Sequence, residues 1–394
     1  MLVALVRAVS ILPPASDIAW GKGARMRRHS DALVDVLSGS FDRTISVNVF
    51  HGPDRVKENL RFESWSLSGD LDNEIACTGS GTIVYDSVHG ESLVPEGTKG
   101  VLSPFRATLE LVMTVSAGRF VESVSLGMFD LTRIRSAWDV TADVNGVERV
   151  VASRVQVEFQ SLESKLRRWG FRSPEMPRSL DSCFDEIRRI SGFPVSETVA
   201  DAAIPADTVW EAKQGGRLEA VQRLARVLGG IAVVDSAGAL TIIPDEVGEK
   251  VGDLWLGSRG TVVDVGYEVD AETVYNVVVG HFEDADRNEL WAVAATTVGD
   301  LAVDGVFGEN TRYYSSDFVK TQGQAQSAVD SILALSTGSQ QYDVPIQCHI
   351  NPLAELGDVL ELNEWVRPLT GRLVSFQMSD SELMSLTLRV TRPL

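Results

Sequence analysis

The sequence predicts an α+β, mainly β protein: two antiparallel β-barrel domains separated by a small α/β domain. Three observations carry that reading. Period-two alternation of apolar and polar residues recurs in short runs on both sides of the chain's middle, with Gly, Asp, Asn and Ser between the runs. The middle changes period, because Leu218, Val221, Leu224, Ala225 and Leu228 recur at the spacing of one helix face. Finally, 394 residues with 44% hydrophobic and 23% charged side chains are globular in composition and leave room for roughly two to four domains.

Residues 1–30 read as an N-terminal extension or docking arm. Its first stretch, MLVALVRAVSILPPAS, lacks a basic leader, is interrupted by Arg7 and runs into Pro13-Pro14. That pattern fits a short strand or docking segment and not a secretory signal. A basic cluster, Arg25, Arg27, Arg28 and His29, closes the arm where a chain usually meets a neighbour or solvent.

Residues 31–172 form the first barrel. Ile45, Val47 and Val49 alternate with Thr44, Ser46 and Asn48, and His51-Gly52-Pro53-Asp54 supplies a turn. Runs at 60–67, 74–85, 109–115, 121–129 and 150–160 continue in the same style, and 161–169 reads as a short helix leaving the barrel.

Residues 173–250 form the α/β domain. Ser173-Pro174 and Met176-Pro177 punctuate its start. Leu180, Cys183, Phe184, Ile187 and Ile190 make one apolar stripe behind an N-cap at Ser179, and Ser191-Gly192 ends it. Trp210 packs against the helix that begins near Arg217. Gly229-Gly230 stops that helix, and strands at 231–234 and 239–243 follow, joined by a turn at 235–238 and ended by Pro244.

Residues 251–394 form the second barrel, with one long helix. Strands are expected at 261–267, 274–282 and 290–297, the last two joined as a hairpin across 283–288. A helix at 321–335 carries a capping box at Thr321 and Gln324, turns Ala325, Ala328, Ile332 and Leu335 inward, and stops at Thr337-Gly338. Tyr342, Val344, Ile346, Cys348 and Ile350 then alternate with Asp343, Pro345, Gln347 and His349, Pro345 marking an edge or bulge. Runs at 359–362, 372–378 and 383–390 finish the sheet.

Thirty-six basic against fifty-five acidic residues give a net charge of -19, which repels nucleic acid and anionic membrane surfaces. No run approaches the ~20 apolar residues of a membrane span, so no transmembrane segment is expected. Cys77, Cys183 and Cys348 show neither a disulfide framework nor metal-ligand spacing and read as reduced, packed thiols.

Each candidate for chemistry falls short of its pattern. Gly79-Ser80-Gly81 lacks the five-residue nucleophile elbow and reads equally as a strand bulge. Cys348 and His349 are adjacent in a strand and so face opposite sides. His29, His51, His89 and His281 sit in loop-like or strand-end positions, without the spacing of a zinc peptidase. Asp70 to Glu74 and Asp284 to Asn288 resemble the start of a calcium loop, but the sixth positions are Ile75 and Glu289, and the twelfth are Gly81 and Ala295. Gly97-Thr98-Lys99-Gly100 lacks the strand and helix of a phosphate loop. No catalytic, cofactor-binding or metal residue is assigned, no cofactor is expected, and the chain reads as not an enzyme.

A resemblance adds to these readings. The helix, glycine stop and apolar hairpin of 218–244 resemble the small α/β domain of bacteriophage tail hub proteins. The Ala- and Gln-rich helix, the alternating strand, Asn351-Pro352-Leu353 and Gly357-Asp358-Val359-Leu360 are similar to that family's closing domain. Over roughly 30–394 the order of domains resembles minor tail proteins of phages infecting actinobacteria, and the N-terminal arm departs from it. The resemblance implies a structural virion protein assembled in the host cytoplasm. It would be a tail-tip (baseplate) hub, with a first barrel of tail-tube type, joining the tail tube to the tip. It also implies a homotrimer whose paired barrels present six-fold pseudosymmetry. Its expected partners are the distal tail or tube protein, the tape-measure protein and tip or fibre proteins, with DNA passing through the lumen and no sequence-specific nucleic-acid binding. The runner-up is a host-surface, carbohydrate-binding tail protein using Trp138, Trp255 and Trp365, although packing is the commoner role for such residues. A peptidoglycan hydrolase of the tail tip is the third reading.

Overall fold

The computed structural model describes residues 27–257, 260–266, 274–284, 287–316, 321–363 and 368–393. Among them the protein is mainly β, organised on one large, mostly antiparallel sheet of twelve strands and two three-stranded sheets.

The chain enters through a helix that the sequence reading does not contain, α1 (Asp31–Leu37), whose first turn is capped by Ser30 Oγ accepting from Leu33 N. Six strands follow: β1 (Asp42–His51), β2 (Asp54–Asp70), β3 (Cys77–Asp86), β4 (Ala107–Ala117), β5 (Phe120–Val144) and β6 (Val147–Ser161). They are hydrogen-bonded in the order β1-β4-β5-β6-β3-β2, and β2 pairs β1 again, so the six form a closed circuit. The alternating residues Leu109, Leu111, Met113 and Val115 all turn inward and are fully buried. β5 and β6 extend well beyond the expected runs. They are joined by a two-residue turn at Asn145 (φ 60) and Gly146 (φ 79), the positive-φ pair that a tight hairpin requires.

The α/β part begins with α2 (Ser164–Arg168) and contains α3 (Cys183–Ser191), β7 (Val195–Ser196), α4 (Gly216–Val227), β8 (Gly230–Val234) and β9 (Leu240–Pro244). Its sheet runs β7-β9-β8, and α3 and α4 share a core of Phe184, Ile187, Ile190, Val221 and Leu224. The N-cap of α3 is Ser182, not Ser179; its Oγ accepts from Asp185 N. Leu180 consequently lies outside the helix and is partly exposed, whereas Cys183 is buried as the stripe requires. Gly192 ends α3 in the left-handed region at φ 68, and Gly229 does the same after α4 at φ 75.

The last part holds β10 (Gly252–Trp255), β11 (Val262–Val265), β12 (Val277–Glu283), β13 (Glu289–Ala295), β14 (Thr311–Tyr314), α5 (Gln322–Gly338), β15 (Ser339–His349), β16 (Val359–Asn363), β17 (Leu369–Ser379) and β18 (Leu383–Pro393). Thr321 and Gln324 cap α5 reciprocally, Oε1 accepting from Thr321 N and Oγ1 from Gln324 N. Ala325 and Val329 are fully buried against β12 and β13, with Ala328 and Ile332 beside them. The side chain of Leu335 lies outside the described residues.

Two features depart from the sequence reading. β12, β13 and β14 do not join the last sheet; they form their own, order β13-β12-β14, packed on α5. Nor are the two large strand sets held apart by the α/β unit that divides them in sequence. β2 pairs β17 directly, Gly69 opposite Phe376 and Leu67 opposite Met378, so one sheet runs through both sets. The physical reason is a shared core: Leu67, Phe376, Met378, Phe159 and Leu386 belong to one buried cluster. On the far side of this seam the pairings run β16-β17-β18-β15-β11, with β10 beside β16 and an isolated parallel bridge between Leu256 and Val262 returning towards β10.

Arg27, expected to face solvent or a neighbour, is 5% exposed. Its Nη1 donates to the carbonyls of Pro352 (2.8 Å) and Ala354 (2.5 Å), tying the first described residue to the last strand set. Residues 1–26, including Arg25, lie outside the described residues.

Candidate functional site: a neutral polar row across the seam

The seam sheet places an unbroken row of side chains on the face opposite the core. Gln160 of β6 pairs Thr78 of β3, Thr78 pairs Ser68 of β2, and Ser68 pairs Gln377 of β17. Gln377 then pairs Ser385 of β18, and Ser385 pairs Gln347 of β15. Direct partners on neighbouring strands point to the same side, so six adjacent strands contribute one uncharged, hydrogen-bonding side chain each. Their sequence neighbours face the core: Leu67, Phe159, Ile346, Phe376, Met378 and Leu386 are all buried.

The flanking rows are mostly hydroxyls, with Asp70 opposite Ser375 across the seam and Glu158 opposite Ser80. Ser66 and Ser80 oxygens lie 3.2 Å apart, Ser68 and Thr78 oxygens 3.1 Å, and Ser375 and Thr387 oxygens 2.8 Å. These hydroxyls largely satisfy one another across strands. A groove of about 360 Å³ opens over the row, lined by Ser68, Thr78, Ser375, Gln377, Ser385 and Thr387 among others. Its one carboxylate, Asp70, is engaged by the backbone N of Asp72 at 2.9 Å. At its rim Arg389 bridges Asp72 (2.9 Å) and Asp343 (2.9 Å). The Asp72 carboxyl is held below its ordinary range chiefly by its hydrogen bond to that guanidinium.

The residues weighed for catalysis lie elsewhere or are structurally engaged. Gly79 and Gly81 are glycines because aromatic rings press on β3: a Cβ would meet Phe159 Cζ at 2.4 Å on the first and Phe62 Cζ at 2.4 Å on the second. Ser80 stands on the opposite face. The bulge sits in the partner strand, where the register slips between Glu63 and Ser66. Burial pushes the Cys183 thiol up to about 11 and the Cys348 thiol up to about 12, and it raises that of Cys77 as well. Cys348 is buried while His349 faces away from it. His51 Nε2 lies 2.9 Å from the carbonyl O of Val101, and His29 Nδ1 lies 2.7 Å from that of Arg27. Both turns that resemble calcium loops are internally bonded; Asp284 Oδ1 accepts from Asn288 N at 2.8 Å. Gly97 to Gly100 is a tight turn closed by Glu96 and Lys99. Trp138 lies within β5 and Trp255 ends β10, at 42% and 47% exposure, so neither is a core residue; Trp365 is outside the described residues.

The sequence reading missed the row itself. Each member is visible as a polar position of an alternating run, but which strands lie side by side is not.

No family model matches the chain, and no curated protein matches it. Solved structures do. It is similar to the tail protein from Neisseria meningitidis MC58, with a TM-score of 0.54 at 12% identity over 89% of this chain and 96% of that one. It is also similar to the 43 kDa tail protein of prophage MuSo2 from Shewanella oneidensis, with a TM-score of 0.51 at 12% identity over 89% of this chain and 98% of that one. At such identities the likeness is one of fold.

Proposed function

We propose that this chain is a structural protein of a phage tail tip, a baseplate hub that joins the tail tube to the tip as a ring around a lumen. The tail-protein fold supports the tail role, and the actinobacteriophage subgroup rests on the sequence resemblance alone. The observation that carries the reading is the neutral row across the seam. A conduit for DNA needs a wall that neither holds phosphates nor exposes apolar surface. Lysine or arginine would bind the backbone through counterion release, and aliphatic side chains would aggregate. Ser, Thr and Gln do neither, and their hydroxyls and amides keep the wall wet.

In this reading the two strand sets are two ring-forming modules per subunit, so that a trimer offers six similar positions to a hexameric tube. The domain limits follow as 31–172, 173–250 and 251–394, with 1–30 as an arm. The row faces the lumen, and no step of the role requires a catalytic group. Labelled protein in intact virions should appear as a ring of three copies at the distal end of the tail, and mass spectrometry should give half as many copies as one tube ring contains. Absence from virions would refute it. Half-exposed Trp138 and Trp255 favour the second reading, a carbohydrate-binding tail protein. Glycan-array binding lost on Trp138→Ala or Trp255→Ala would support that one instead.

A further inference from the structure

The sheet β13-β12-β14 covers α5 with one face, and no other element among the described residues packs on the opposite face. On that opposite face the Trp291 indole stacks on the His281 imidazole, centroids 4.1 Å apart and 16° from parallel. Trp291 is 52% exposed, Val293 55% and Tyr313 78%. Glu283 and Glu289 are direct cross-strand partners beside them, a like-charge pairing that costs stability within a sheet. Glu289 Oε2 accepts from Trp291 Nε1 at 3.3 Å, which keeps a carboxylate at the ring's edge. The outer edge of β13 is closed: Gln322 and Gln326 of α5 donate to the carbonyls of Trp291 (2.8 Å) and Val293 (3.1 Å). A partner therefore meets the face and not this edge.

The charge around the face is one-sided. The described residues between 274 and 338 hold seven carboxylates against two arginines. The opposite imbalance occurs elsewhere in the chain. Between Lys165 and Arg178 stand five basic residues and one acidic, Glu175. Lys165, Arg167 and Arg168 point to Asp130 and Glu74, whereas Arg172 and Arg178 make no ion pair among the described residues. Exposed apolar side chains accompany them, Trp169 at 44% and Met176 at 70%. Copies of a chain at net charge -19 repel one another, so contact between them is favoured where the sign reverses locally. This strip is such a place, and it carries exposed apolar side chains as well.

We propose that the aromatic, acidic face of β13-β12-β14 docks the basic strip around Arg172 and Arg178 of a second copy, head to tail. A contact between two different patches closes into a ring when the rotation permits. It thus rests on the ring reading above and supplies that reading with a subunit contact. Trp291 and Tyr313 provide the apolar centre and a cation-π surface, and Glu283 and Glu289 the charge.

The test is sedimentation of the full chain at several salt concentrations. The wild type should associate, more weakly as salt rises. Glu283→Lys with Glu289→Lys should weaken association by at least about tenfold, as should Arg172→Glu with Arg178→Glu. All four substitutions together should restore it to within about threefold of wild type, because each new charge again meets its opposite. Trp291→Ala should weaken it without altering the melting temperature, which also checks that each variant folds. A wild type that stays monomeric, either pair without effect, or a fourfold variant no better than its halves would overturn the contact. Glycan binding that depends on Trp291, with association untouched, would overturn it and identify a sugar as the occupant. The two proposals fail separately: variants that still build rings in virions refute this contact alone, whereas a chain absent from virions refutes the hub.

Discussion

Whether the seam is one sheet can be decided at Gly69 and Phe376. They are direct partners on β2 and β17, and a Cβ on Gly69 would lie 2.5 Å from Phe376 Cε1. Phe376 is 3% exposed. Gly69→Ala forces a methyl against the ring and should cost about 1–3 kcal/mol as overpacking. Phe376→Ala empties the volume of a buried ring and should cost about 3–5 kcal/mol. In the double variant the methyl enters the space the ring has left, so the combined loss should fall short of the sum by about 1–3 kcal/mol. Urea unfolding with an unchanged m value is the assay. Gly81→Ala serves as the control. Its Cβ would meet Phe62, not Phe376, so with Phe376→Ala it should be additive to about 0.5 kcal/mol. Additivity for the Gly69 pair as well would mean that the two strands are not neighbours. The neutral row would then be broken into two unrelated halves.

Glu163 is 2% exposed, and its Oε1 accepts from Ala76 N (3.0 Å) and Ser161 Oγ (2.6 Å) while Oε2 has no hydrogen-bond partner among the described residues. Burial raises its carboxyl above the ordinary 4.5, so the folded state holds a proton that the unfolded state has lost. Stability is then greatest below that ordinary value and declines as pH rises through the folded pKa. The advantage of Glu163→Gln over wild type should grow as pH rises above about 4.5 in urea titrations, because wild type alone loses its bound proton; a pH-independent gap would refute it. For the thiols, at a pKa of about 11 only about one Cys183 in a thousand is thiolate near pH 8. Alkylating reagents should leave the native chain unmodified for hours and label it on denaturation, and rapid labelling of Cys183 or Cys348 without denaturant would contradict their burial. Ser68→Arg with Gln377→Arg places two guanidiniums per subunit on the row, about six per trimer, enough for DNA retention that falls by about 10³ or more between 50 and 200 mM salt. Virions carrying it should assemble normally and eject DNA poorly, and unaltered ejection would remove the row from the lumen.

Local order is written in the chain to a useful depth. The amphipathic helix α4, its stop at Gly229 and the hairpin of β8 and β9 follow from spacing and positive φ alone, and so does the capping box of α5. Legibility ends where the deciding contact is distant. Ser179 and Ser182 are equally good N-caps by type, and the choice is made by tertiary bonds: Cys183 N donates to Ala202 O and Phe184 N to Asp201 Oδ1. The extension of β5 and β6 had a local signal in Asn145-Gly146, but residues 136–149 are largely exposed on both faces, so apolar periodicity is weak there. The seam left no signal of this kind. Alternation identifies a strand and its two faces, not the neighbour it pairs with.

The chemistry of the row follows from a conflict between the sheet and the role proposed for it. Direct partners on adjacent strands stand about 5 Å apart, so a row of like charges repels along its whole length. Carboxylates there would keep DNA away at a cost in every pair, as at Glu283 and Glu289, and alternating charges would expose cations to phosphate. Large apolar residues would stabilise the pairing and leave a broad sticky surface. Ser, Thr and Gln bond across the strands, as Ser68 with Thr78 and Ser375 with Thr387 do, so the same hydroxyls strengthen the sheet and remove its charge. The acidic excess of the chain then lies off the row, on surfaces such as the β13-β12-β14 module. The seam extends this uncharged row from one strand set to the other without an edge, and that is why the Gly69–Phe376 contact tests the functional reading along with the fold.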